Sequence, residues 1–215
     1  MFIDSLQEQG MKTTTIHLYY SAMKTVFEDR EIDVSGIELP EIDEGDINRP
    51  AYTKDEVFKL ITMARQLGGV YAKAMAISTT YGVRRVELEL HKPEDINRRQ
   101  KTIFIRTGKG GRKVHHLIPD QIMPYLTNDS FPGVWSLSKM FNIIAESAGV
   151  KNEHAGWHGI RRSLVTELAI NKVPDTTLNL FMRWKTGTMI DIYRKKTPVM
   201  DVEVFDKHPY INQWK

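Results

Sequence analysis

Cysteine is absent from the 215 residues, so disulfides, a thiolate nucleophile and any cysteine-built zinc site are excluded at the outset. No apolar run approaches the roughly 18 to 20 residues needed to span a bilayer, and the opening MFIDSLQEQG has no basic region followed by an apolar one. A cytoplasmic protein with no membrane partner is therefore expected. No GxxxxGK[ST] phosphate loop and no HExxH metal motif occurs, and no internal repeat is visible. His154 and His158 are four apart, as helical zinc ligands often are, but no third ligand accompanies them, so no metal and no cofactor is expected.

Charge of one sign is also scarce: the formal net charge is only +3, an excess common among proteins that never meet nucleic acid. Its distribution is more informative. Basic residues collect around Arg84 and Arg85, from Arg98 to Lys113, at Arg161 and Arg162 and from Arg183 to Lys196, while acidic ones crowd residues 28 to 46. With 41% hydrophobic and 27% charged residues, the composition is that of an ordinary globular chain.

Periodicity predicts a mainly helical α+β fold. Ile16, Tyr19, Tyr20, Met23, Val26 and Phe27 fall at helical spacing over residues 13 to 28, and a short helix over Phe2 to Gln9 precedes them. The acidic stretch EIDVSGIELPEIDEGDINRP, with its prolines and glycines, reads as a connection. Thr53 followed by Glu56 has the form of a capping box that opens a helix to about Leu67, and Val70 to Thr80 continues as a second helix. KTIFIR and KVHHLI, joined by TGKGGR, predict a β-hairpin. On a strand His115 and His116 face opposite sides, one toward the core and one toward a partner. Helical patterns return over Leu137 to Ala148, Gly159 to Ile170 and Pro174 to Met182, with a short helix leading to Tyr193.

Four stretches carry chemistry: YGVRRVEL, TGKGGRK, HGIRRS and MRWKTGTMIDIY. Each alone is unspecific; their order and spacing are not. Together they resemble the tyrosine recombinase (phage integrase, Xer-like) family, whose catalytic domains carry Arg, a hairpin Lys, HxxR, His or Trp, and Tyr in that order. The resemblance implies Arg84 as the first catalytic arginine in preference to Arg85, Glu87 as its supporting acid, and Lys109 as the hairpin lysine with Lys113 as fallback. It also implies His158 and Arg161 from HxxR, Trp184 where most members have histidine, and Tyr193, nine residues later, as nucleophile.

Elementary chemistry fits those roles. A tyrosine hydroxyl titrates near pH 10 and attacks a phosphodiester only when a base accepts its proton or cations stabilise the phenolate. Two guanidinium forks, Arg84 and Arg161, suit the non-bridging oxygens of a pentacoordinate phosphorus. Lys109 suits protonation of the departing 5′ oxygen, His158 suits acceptance of the tyrosine proton or a hydrogen bond to a phosphate oxygen, and Trp184 has only an indole N–H to offer.

The resemblance implies residues 1–40 as a shortened helical core-binding segment, 41–50 as a linker, 51–196 as the catalytic domain, and 197–215 as a tail available for packing between subunits. It implies a double-stranded DNA partner and a homo-tetramer on DNA, and further contacts to DNA are expected from Lys12, Lys24, Arg85, Arg112, Lys113 and Arg162. The implied activity is site-specific cleavage and rejoining of DNA through a 3′-phosphotyrosyl bond at Tyr193, without metal or ATP. Two alternatives stay open: a DNA-relaxing enzyme of the type IB topoisomerase kind, and a DNA-binding relative that no longer cleaves.

Overall fold

The computed structural model of the chain describes residues 2–42, 51–108, 114–152, 156–184 and 198–214. It divides into two compact units, Met1–Arg49 and Pro50–Lys215.

The first unit is a helical pair. Helices α1 (Phe2–Glu8) and α2 (Thr13–Asp29) meet through Ile3, Leu6 and Ile16, with Met11, Tyr20 and Leu39 against them. The extended chain after α2 is fastened by the Tyr20 hydroxyl donating to Val34 O (3.0 Å) and by the His17 ring at 2.8 Å from Pro40 O. Of the predicted apolar stripe only Ile16 is buried, and Tyr19 and Val26 stay exposed. Two helices alone cannot enclose a full stripe. Residues 43–50, most of the expected linker, lie outside the described residues.

The second unit opens with the capping box read from the sequence. Thr53 Oγ1 accepts from the Glu56 N–H (3.3 Å), and Glu56 Oε2 accepts from the Thr53 N–H (2.7 Å), which starts α3 (Lys54–Leu67). Helix α4 (Gly69–Tyr81) is buried at every position from Ala72 to Tyr81, so it forms the central post of the unit and shows no polar face. It ends at Gly82, in the left-handed region at φ +55°, where an added Cβ would sit 2.5 Å from Met182 Cε. Glycine meets the first condition without strain and the second without displacing Met182. A short helix, α5 (Arg85–Glu89), follows at once.

The sheet is three-stranded and antiparallel, in the order β1 (Ile96–Asn97), β2 (Thr102–Ile105), β3 (Val114–Leu117). The hairpin of β2 and β3 stands where KTIFIR and KVHHLI predicted it, with Ile103 opposite His116. Strand β1 is too short for a periodic signal. His116 is fully buried and His115 exposed, as strand alternation requires. Helices α6 (Val134–Ser147), α7 (Gly156–Ile170) and α8 (Asp175–Phe181) complete the bundle around α4.

After residues 185–197, which lie outside the description, the tail forms α9 (Pro198–Asp206) and a 3-10 turn, Ile211–Trp214. In this single chain the tail packs on its own unit: Val204, Tyr210 and Trp214 belong to the main core, and the Arg65 guanidinium donates to Gln213 O (2.7 Å).

Candidate functional site

The junction of α4 and α5 builds the first half of the site. Arg84 occupies the N-cap of α5, and Glu87, three residues on, folds back beneath it. Glu87 Oε2 accepts from the Arg84 backbone N–H (2.8 Å), and Oε1 accepts from the Arg84 guanidinium (2.9 Å). The Glu87 side chain is wholly enclosed, whereas that of Arg84 keeps about a third of its surface. The carboxylate thus works as a bracket that fixes the root and the head of one arginine and leaves part of its head in solvent. Burial opposes the Glu87 charge, but Arg183, the Arg84 N–H, Arg161 and Arg84 outweigh it and hold the carboxyl below its ordinary value.

Helix α7 supplies the second half. Arg161 is buried, and its guanidinium donates to Gly82 O, just before Arg84, and to Met182 O (2.8 Å), just before Trp184. One side chain ties the α4–α5 corner to the end of α8. The same guanidinium lies 5.7 Å from the centre of the Trp184 ring. Burial, with Arg183 and Arg84 nearby, lowers its pKa to about 9, and it remains a cation at neutral pH.

His158 projects from α7 one turn before Arg161 and is exposed. Partial desolvation and the guanidiniums of Arg162, Arg85, Arg161 and Arg84 depress its imidazole pKa. A neutral ring is the form that can accept a proton. Beside it, Arg85 donates to Ser138 Oγ (2.7 Å), and Arg85, Asn142, Asn152, Trp157 and His158 line a cleft of about 330 Å³.

The structure therefore brings Arg84, His158, Arg161 and Trp184 together, with Arg85 and Arg162 at the margin. Lys109, Arg112 and Lys113, between β2 and β3, and Tyr193, between α8 and α9, lie outside the described residues. Lys12 caps α2 without a side-chain bond and Lys24 pairs with Glu28 at 3.6 Å; both belong to the first unit.

One member was missed by sequence reasoning. Arg183 is fully buried and donates to Glu87 Oε2 (3.1 Å), to Tyr81 O (3.1 Å) and to Phe181 O (3.1 Å). The only sequence sign was a charge inside the apolar run LNLFMRW, which does not tell which carboxylate receives it. Three guanidiniums, Arg84, Arg161 and Arg183, surround the single carboxylate of Glu87, an excess of positive charge suited to a phosphate that gains charge as it reacts. Among the described residues no group of three His, Asp or Glu side chains is placed to hold a metal ion, and no helix is long and apolar enough to cross a membrane.

No sequence-family model matches the chain, and no curated protein sequence matches it. Solved structures do. The chain is similar to an integrase from mycobacterium phage Brujita (19% identity, TM-score 0.60, covering 99% of this chain and 82% of that one). It is also similar to the XerH site-specific recombinase bound to palindromic difH substrate in a post-cleavage complex (17% identity, TM-score 0.62, 97% of this chain and 68% of that one). The XerA recombinase matches with 17% identity and a TM-score of 0.55 over 94% of this chain and 79% of that one. The fold is that of tyrosine recombinases and integrases.

Proposed function

We propose that the chain is a site-specific DNA recombinase that cleaves and rejoins DNA through a 3′-phosphotyrosyl bond at Tyr193, acting as a tetramer on double-stranded DNA. The observation that carries this reading is the convergence of Arg84, Arg161, His158 and Trp184 from three separate segments, within the fold of structures such as XerH on its difH substrate.

In this mechanism the Tyr193 oxygen attacks the phosphorus while its proton passes to His158, whose ring partial burial and the surrounding guanidiniums bias toward the neutral form. Arg84 and Arg161 donate to the non-bridging oxygens as charge builds on the pentacoordinate phosphorus. The forks differ in how they are held. Arg84 is bracketed by Glu87 yet reaches solvent, and Arg161 is fixed from behind by two carbonyls, although a guanidinium has more N–H donors than two carbonyls consume. Trp184, stacked near Arg161, positions through its indole and cannot serve as a base. Lys109 gives its proton to the departing 5′ oxygen. The phosphotyrosyl bond keeps the energy of the phosphodiester it replaced, so the freed 5′ hydroxyl of a partner strand can reverse the attack without ATP or metal.

Nicked suicide DNA from the surrounding genomic sequence, incubated with the chain in EDTA, is the direct test. A covalent protein–DNA adduct is expected with wild type and none with Tyr193→Phe, which should still shift DNA in a gel. Tight binding by wild type with no adduct on any substrate would favour the silent DNA-binding reading instead.

A further inference from the structure

Arg183 has no part in the chemistry above, yet it is placed at some cost. Its backbone lies in the left-handed region at φ 59°, two residues beyond the end of α8 and just past its C-cap Met182, where glycine is the usual occupant. Its side chain is 0% exposed, and burying a guanidinium is expensive where an apolar side chain of similar volume would fill the space. Strain and a buried charge at one residue call for a role that the guanidinium itself performs.

Its contacts form a chain through the core. Arg183 Nη2 donates to Glu87 Oε2 at 3.1 Å, the oxygen that also receives the Arg84 backbone N–H, while the other Glu87 oxygen receives the Arg84 guanidinium. In the opposite direction Arg183 Nη1 lies 3.3 Å from His116 Nε2, and His116 Nδ1 lies 3.2 Å from Asp201 Oδ1 on α9. Arginine can only donate, so His116 Nε2 accepts, and its Nδ1–H donates to Asp201. Asp201 is fixed in turn by the Leu117 backbone N–H (2.7 Å).

The consequence lies in how Glu87 divides its charge. With Arg183 absent, Glu87 would draw Arg84 inward as its nearest full counter-ion or take up a proton. With Arg183 present, the carboxylate is met from the interior, and the exposed part of the Arg84 head keeps its charge for an anion outside.

We propose that Arg183 is a positioning residue for Arg84, neutralising Glu87 from inside and anchored through His116 to Asp201, so that the Glu87 bracket presents Arg84 to a DNA phosphate. This rests on reading Arg84 as a phosphate clamp. Arg183→Gly tests it, since glycine suits the left-handed backbone and removes only the guanidinium.

Adduct formation on nicked DNA is measured as a single-turnover rate and, separately, as the DNA concentration at half-saturation. The rate is expected to fall on the order of 100-fold, the cost of misplacing a catalytic group, with half-saturation nearly unmoved. Because both residues act through Arg84, Arg183→Gly combined with Glu87→Gln should lose no more than the worse single variant. An unchanged rate, or losses that simply multiply, would overturn the proposal. If Arg183→Gly is too unstable to assay, Arg183→Asn, uncharged and of a residue type enriched in the left-handed region, is read in the same way.

Carbon NMR titration of the Glu87 carboxyl separates this inference from the proposed function. It should titrate below the ordinary range in wild type and move up in Arg183→Gly. Should wild type form no adduct on any DNA, the recombinase reading fails and this titration still decides the bracket: an upward shift supports it, and an unmoved carboxyl overturns it. An arginine that merely shaped the corner before Trp184 would lower the melting temperature and leave rate and titration alone.

Discussion

Arg161 joins Gly82 O to Met182 O with one planar guanidinium, and a lysine at that place keeps the charge but loses the fork. One carbonyl would then be buried without its charged donor, a loss of about 1.5–3 kcal/mol. The phosphate would lose a fixed donor as well, which costs about 100- to 1,000-fold in rate at comparable sites. Arg161→Lys is therefore expected to lower both the urea midpoint and the single-turnover cleavage rate. Cleavage at the wild-type rate would show that this arginine is only a structural tie. Arg84 differs in kind: its bracket is local, within one turn of α5, so its loss should leave stability nearly unchanged and act on the reaction.

At the scale of elements, what holds the site is the close approach of the α4–α5 corner to the end of α8. Gly82→Ala tests that approach. The left-handed backbone would cost an alanine about 1–2 kcal/mol, and the new Cβ would press on Met182 Cε, the far end of a flexible side chain that can yield. Thermal unfolding should show most of the backbone term and little more; a far larger loss would mean that Met182 cannot move. Local signals of this kind were readable beforehand. The Thr53–Glu56 capping box, the two longer strands of the hairpin and the helical run of α4 each depend on neighbours a few residues apart. The pairing of Arg84 with Glu87 was implied by the family resemblance of YGVRRVEL and not by spacing. What stayed hidden joins distant positions: the two-residue strand at Ile96, Asp201 bonded to His116 and Leu117, and Arg183 reaching Glu87. No periodicity records which buried charge meets which, because that is settled only when α8 and α9 dock. The tail's docking was likewise invisible, since Val204, Tyr210 and Trp214 would be equally apolar against a neighbouring subunit.

Acid is the condition that should loosen the whole molecule, through two histidines buried without charge. His91, just after α5, is lowered to about 4 by burial and by Lys73, and His208 in the tail is lowered to about 4 by burial. The folded value lies below the unfolded value of about 6.5, so the unfolded chain binds the extra protons between those limits. Stability is then fully present above pH 6.5 and is lost as pH falls toward 4, by up to about 3 kcal/mol for each histidine. Glu87, held below its ordinary value, adds its own loss only at the acid end of that window. The network assigns His208 a definite tautomer, with Nε2–H donating to Thr80 O (3.0 Å) and Nδ1 accepting from the Tyr210 N–H (3.2 Å). Glutamine can supply one donor and one acceptor and never charges. In urea titrations from pH 7 to pH 5, wild type should lose stability steeply and His208→Gln should lose markedly less. A slope unchanged by that substitution would place the acid sensitivity elsewhere. A flattened slope would make the tail's docking the step that acid undoes, and with it the Asp201 contact that reaches the Glu87 bracket.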